Sequence, residues 1–193
     1  YMGNTGPSFP QDYWIDGLEW LAEQDTNLDP EERPGFLSWW DYGFWAIDIG
    51  EHPTVADNFQ FGYQIAGNFI GSQSEEEAMA LLLYRLLEPE VNRDTNKFSS
   101  EVRTELLNYY SEENITEFEN IVSNPADYIP KKADGTDQEV HKKNAAIRAG
   151  KPILMTLEKT DISDIIWEIE QITGKSIRYF AADTRLMPYS AQN

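Results

Sequence analysis

The 193-residue chain has no cysteine and only two histidines, and its 15 basic residues face 34 acidic ones. The missing cysteines exclude a disulfide framework, a thiolate zinc site and a cysteine nucleophile, without deciding the compartment. A formal net charge of −19 argues against any broad surface for DNA, RNA or anionic lipid head groups, because the long-range field repels phosphate. The excess acid reads first as a solubility device. No apolar run approaches the roughly 20 residues that span a bilayer, and no signal-peptide pattern opens the chain. The polypeptide therefore reads as a soluble piece with no partner among nucleic acids.

What is present suffices for a core. Apolar residues make up 40% of the chain and aromatics 13%, so general disorder is not expected. The length suits a single domain over residues 1–193. Apolar periodicity predicts a helix from Pro10 to Ala22, with Trp14, Leu18 and Leu21 on one face. After the breaker Pro34-Gly35, Phe36-Leu37 reads as a buried strand, residues 54–57 as a second short one, and Phe61 to Ile70 as a short helix. Ser74 with Glu77 three residues later is a capping box and predicts a helix to about Leu87, before Pro89. Helices are also expected from Ser99 or Ser100 to Tyr109, over 116–122, and over 138–149 with Gly150 closing the last. Residues 125–136 read as a surface loop. At the end, 153–157 and 177–182 read as buried strands around a helix from Asp161 to Ile172, a βαβ unit. The expected class is α/β, a small mixed sheet with helices predominating.

The most informative segment is Trp39-Trp40-Asp41-Tyr42-Gly43. Two adjacent indole donors and a carboxylate acceptor can bracket a Ser or Thr hydroxyl, which takes two hydrogen bonds and gives one. Such a set suits recognition, not bond breaking. A partner lacking the hydroxyl would leave each neutral group unpaired at about 1 to 3 kcal/mol. Tryptophan and tyrosine also build cores, and that reading stands beside the first. The segment falls where a strand should end, with Asp41 and Gly43 supplying turn chemistry, and strand ends are where α/β proteins place sites.

This pentapeptide looks like the signature of the catalytic subunit of oligosaccharyltransferase, and the text around it resembles the archaeal AglB branch. The stretches 13–21, 50–60 and 177–183 are similar as well, so the likeness covers most of the chain from about Tyr13. The resemblance implies the C-terminal globular domain of a larger multi-pass membrane glycosyltransferase acting at the extracytoplasmic face. Its membrane region would precede Tyr1. That enzyme moves an oligosaccharide from a lipid-linked phosphate donor to the asparagine of Asn-x-Ser/Thr in an acceptor polypeptide. Its catalytic carboxylates and divalent cation, Mn2+ or Mg2+, belong to the membrane region, so no catalytic residue, metal ligand or cofactor is expected here. By the same resemblance, Trp39, Trp40 and Asp41 bind the acceptor hydroxyl, while Tyr42 and Gly43 shape the turn.

A second family signature, of the pattern Asp-x-x-Lys or Asp-x-x-Met, lines the same pocket. Three placements offer themselves: Asp94 to Lys97, Asp161 to Asp164, and Asp183 through Leu186 and Met187. The third follows a predicted strand and is preferred, with Leu186 or Met187 touching a threonine methyl. It lacks the family's lysine. Asp48, Glu51 and His52 could form a metal or acid/base cluster but read as surface charge, as does His141. Asn114-Ile115-Thr116 is itself an acceptor sequon. The rival readings are a secreted carbohydrate-binding module stacking Trp39, Trp40 and Trp45 on sugars, an acid-pair glycoside hydrolase, and a structural lobe.

Overall fold

The computed structural model describes residues 12–59 and 61–182. Helices predominate over a two-stranded parallel sheet, so the class is a helix-rich α/β fold. The chain divides into two compact units, one running to Tyr63 and resuming at Ser176, the other Gln64–Lys175. No helix among the described residues is long and apolar enough to cross a membrane.

The first unit is organised around a short central strand. Helix α1 (Asp12–Ala22) buries Trp14, Leu18 and Leu21, which fall on one face at spacings of four and three. Strand β1 (Gly35–Leu37) is buried throughout, and it leads through a 3-10 turn (Trp40–Tyr42) into helix α2 (Gly43–Asp48). Strand β2 (Ile177–Phe180) lies parallel to β1, with Gly35 opposite Ile177, Phe36 opposite Tyr179 and Leu37 opposite Phe180. On the other side, Phe36 N–H donates to Pro53 O at 2.7 Å, and Phe36 O accepts from Val55 N–H at 2.9 Å. Trp14, Leu18, Leu21, Phe36, Tyr42 and Ala46 form the core, with Trp39, Trp45, Ile49, Tyr179 and Ala181 packed against it. The buried Arg33 guanidinium is satisfied by the Ala22, Leu28 and Glu51 carbonyls and by the Glu51 carboxylate at 3.2 Å.

The second unit is helical. Helix α3 (Tyr63–Ile70) begins at the boundary, and α4 (Glu75–Leu87), α5 (Ser100–Leu106), α6 (Glu112–Ser123), α7 (Lys142–Leu154) and α8 (Lys159–Thr173) follow. Helix α4 packs on α7 and α8, α6 on α7, and α5 on α8. Ser74, Ser99 and Ser111 each accept the backbone N–H three residues on, satisfying a donor that a helix start leaves orphaned. Glu77 completes the capping box by accepting from Gln73 N–H at 2.8 Å. Glu119 is fully buried, yet it accepts from Phe98 N–H at 3.0 Å, Lys97 Nζ at 2.9 Å and Arg103 at 2.6 Å. Burial works to raise its pKa, but those three donors outweigh burial and hold the carboxyl below its ordinary range.

Several expectations need correction. Residues 153–157 form no strand: Ile153 and Leu154 are the last turn of α7, which runs through Gly150. Hence the described residues form no C-terminal βαβ unit, and β2 takes β1 as its partner instead. An apolar run of five cannot by periodicity be told from the buried end of a helix. Gly150 stops nothing because it serves close packing, a Cβ there standing 2.8 Å from the Tyr84 ring and 3.2 Å from the Phe118 ring. Residues 54–57 contribute one bridge, Thr54 to Phe36, not a strand. Strand β2 alternates half-buried and exposed residues. Among the described residues the sheet is parallel, not mixed.

Candidate functional site

Trp39 is the last extended residue before the turn (φ −61°, ψ 142°), and Tyr42 N–H closes back on Trp39 O at 3.1 Å. Tyr42 is fixed first: it is buried and stacks on Trp14 with centroids 4.1 Å apart and planes at 27°, with Trp45 at 5.7 Å. In a 3-10 turn successive side chains leave about 120° apart. Tyr42 lies in the core, whereas Trp40 and Asp41 are half-buried. Trp39 packs against the same cluster as Tyr42. The Trp39 and Trp40 rings lie 6.4 Å apart at 52°. No hydrogen bond from either indole nitrogen to a described residue occurs.

The turn is held from the side by the segment after Thr54. Gly43 passes the backbone of Ala56 and Asp57 so closely that any Cβ would overlap it. Gly62, at φ +72°, fits against Val55 O in the same way. Thr54 Oγ1 donates to Ala56 O at 2.7 Å, and the Asp57 carboxylate accepts from Phe59 and Phe61 N–H at 2.9 and 3.2 Å. Asn58 then clamps the motif. Its Nδ2 donates to Asp41 O at 2.8 Å, and its Oδ1 accepts from Phe44 N–H at 3.2 Å. A carbonyl only accepts and an N–H only donates, so these two partners fix the amide's orientation.

The five signature residues thus occupy one turn, with Tyr42 and Gly43 shaping it from inside. Asp183, Leu186 and Met187 lie outside the described residues. The Asp94 to Lys97 letters serve local structure: Asn92 Oδ1 accepts from Asp94 and Thr95 N–H, and Lys97 is spent on Glu119. Asp161 and Asp164 sit at the start of α8, where the helix dipole favours acids. Asp48, Glu51 and His52 separate. Asp48 is exposed, Glu51 pairs with Arg33, and His52, read from sequence as surface charge, is buried with Nδ1 2.8 Å from Pro34 O. A carbonyl needs a donor, so Nδ1 carries the proton. The ring meets Tyr179 edge-on at 5.1 Å. His141 is exposed and caps α7, Nδ1 accepting from Lys143 N–H at 3.2 Å. The sequon at Asn114 is folded into α6, with Ile115 buried and Thr116 Oγ1 accepting from Arg103 at 3.3 Å.

Sequence reasoning missed Asn58. The signal is present, since Asp57-Asn58 is turn chemistry, but the expected strand over Thr54 to Asp57 hides it.

Comparison with known proteins finds likeness to archaeal glycotransferases. Residues 1–85 match the family described as the AglB core domain. The chain is 37% identical over 73 residues to dolichyl-phosphooligosaccharide-protein glycotransferase 1 of Archaeoglobus fulgidus and 39% identical over 74 residues to glycotransferase 2 of that organism. These matches cover 35% and 36% of the chain and 12% of each relative. The dolichyl-monophosphooligosaccharide–protein glycotransferase AglB of Haloferax volcanii is 38% identical over 53 residues, 28% of the chain and 5% of that protein. A crystal structure of the C-terminal globular domain of the A. fulgidus oligosaccharyltransferase AfAglB-S2 is 30% identical, covering 60% of this chain and 78% of that one, at a TM-score of 0.35. Over residues 1–85 the chain is thus similar to the archaeal AglB glycotransferases.

Proposed function

We propose that this chain is the acceptor-recognition domain of an archaeal oligosaccharyltransferase, binding the hydroxyl of Asn-x-Ser/Thr in a polypeptide that receives glycan from a lipid-linked phosphate donor. The single observation behind this reading is the state of the signature turn. Trp39 and Trp40 keep their indole N–H groups uncommitted to any described residue, beside a half-buried Asp41. A hydroxyl held there anchors the acceptor so that the asparagine amide is presented to chemistry elsewhere. Asp183 joins the proposal as the first position of the second signature, with Leu186 or Met187 meeting a threonine methyl.

Among the described residues no three His, Cys, Asp or Glu side chains are grouped to hold an ion. The proposal leaves the divalent cation of the full-length enzyme to the membrane region, as the family resemblance implies, and no step is routed through it here. The whole protein is proposed to be a multi-pass glycosyltransferase with this domain on the extracytoplasmic side. The decisive experiment is Asp41→Ala in the full-length enzyme with an Asn-x-Thr peptide and a lipid-linked donor. Turnover should fall about a hundredfold or more, the scale on which a misplaced substrate loses rate. Unchanged turnover makes Asp41 structural. Binding of free glycan by this domain would favour a carbohydrate-binding module instead.

A further inference from the structure

Asn58 stands outside the signature, yet no other described side chain hydrogen-bonds the backbone at both ends of the segment Asp41 to Phe44. Phe44 N–H is one of the donors that the start of α2 leaves without an intrahelical acceptor, and Asn58 Oδ1 supplies one. The Asp41 carbonyl is bound by the other end of the same amide at 2.8 Å. A single planar group therefore spans the residues from the carboxylate-bearing position to the first residue after Gly43. Asn58 is itself pinned, because Asp57 next to it organises the following turn through Phe59 and Phe61 N–H.

We infer that Asn58 is a positioning residue for the acceptor hydroxyl: its amide fixes the turn that carries Trp40 and Asp41 without touching the acceptor. This rests on the recognition role proposed above. Magnitudes separate positioning from stability. Both bonds are exposed to solvent, so each contributes little to folding. A displacement of about 1 Å at a substrate-holding group, by contrast, costs on the order of a hundredfold in rate.

The test uses full-length enzyme and an Asn-x-Thr peptide, comparing Asn58→Asp, Asn58→Ala, Asp41→Asn and the double variant of Asn58→Asp with Asp41→Asn. Asn58→Asp keeps the volume but turns an acceptor toward the Asp41 carbonyl; Asn58→Ala removes both bonds without adding charge. Either should raise the peptide KM and lower kcat/KM by roughly tenfold, with the melting temperature of the solubilised enzyme unchanged. In the Asp41→Asn background, Asn58→Asp should cost almost nothing more, since both act on one contact. Loss that adds fully to that of Asp41→Asn, or that tracks a lowered melting temperature in both Asn58 variants, overturns the inference. So does normal kcat/KM in both of them while Asp41→Asn is impaired. Normal kcat/KM in Asp41→Asn overturns the recognition role itself, which is a separate outcome.

Discussion

Gly43 and Ala56 approach each other so closely that a Cβ on Gly43 would stand 2.2 Å from the Ala56 carbonyl oxygen and 2.6 Å from Asp57 Cα. Both obstacles are backbone, so neither can rotate away. The glycine of the signature is thus explained by steric contact with a segment thirteen residues downstream, not by its own dihedral angles, which are helical at φ −57° and ψ −43°.

Gly43→Ala should therefore destabilise the protein by about 2 kcal/mol, an overpacking cost of about 1 to 3 kcal/mol set against a helix-propensity gain of up to about 1 kcal/mol. Urea unfolding of the purified chain reads this directly. An unchanged midpoint would mean that residues 56 and 57 withdraw freely.

Gly150→Ala tests the same kind of contact against rings. Its Cβ would meet Tyr84 at 2.8 Å and Phe118 at 3.2 Å, both buried and packed on each other at 5.2 Å. The expected loss is about 1 kcal/mol after the helix gain. A stabilised variant in thermal melting would show that the two rings have room to shift.

Glu119→Gln should cost about 3 kcal/mol at neutral pH, the low end for breaking a buried pair, since Lys97 is half in water. The carboxyl is held below its ordinary value of 4.5 in the folded state. Its contribution is accordingly whole above that value and is lost as pH falls through the lowered one. Denaturant melts at a series of pH values should show a constant gap between native and variant from pH 7 to about 5.5, closing below about 4.5. A gap that stays constant into strong acid would remove ionisation from the explanation.

Met187→Ala together with Leu186→Ala in the full-length enzyme should narrow the preference for Thr over Ser acceptors by about 1 kcal/mol, one buried methyl, or roughly fivefold in relative kcat/KM. Competition between the two peptides measures it. An unaltered ratio would place the methyl contact elsewhere.

The starts of α4 and α5 are legible because their signals are local: Ser74 and Ser99 stand within four residues of what they cap, whereas the Ser111 cap is missed and α6 begins at Glu112, ahead of the expected 116. The signature was legible for a different reason, since two indoles beside a carboxylate are a rare chemical set. What sequence could not give was anything decided by distant partners. Ile153 and Leu154 are apolar in a strand or a helix alike, and only packing within the helical unit selected the latter. His52 looked like surface charge because the Pro34 carbonyl that holds it is eighteen residues away. Asn58 went unnoticed because an asparagine in a turn is ordinary until its two partners are known.

The pairing of β1 with β2 sets an order of events. Residues 35–37 leave the ribosome about 140 positions before 177–180, the strand they bind. Closing a loop of that length is entropically slow, and it is longer than the one that brings α4 (Glu75–Leu87) against α8 (Lys159–Thr173) in the helical unit. The half that bears the tryptophan pair is thus the late-maturing half, and truncation before Ile177 would leave β1 with an open edge exposed to stray strands.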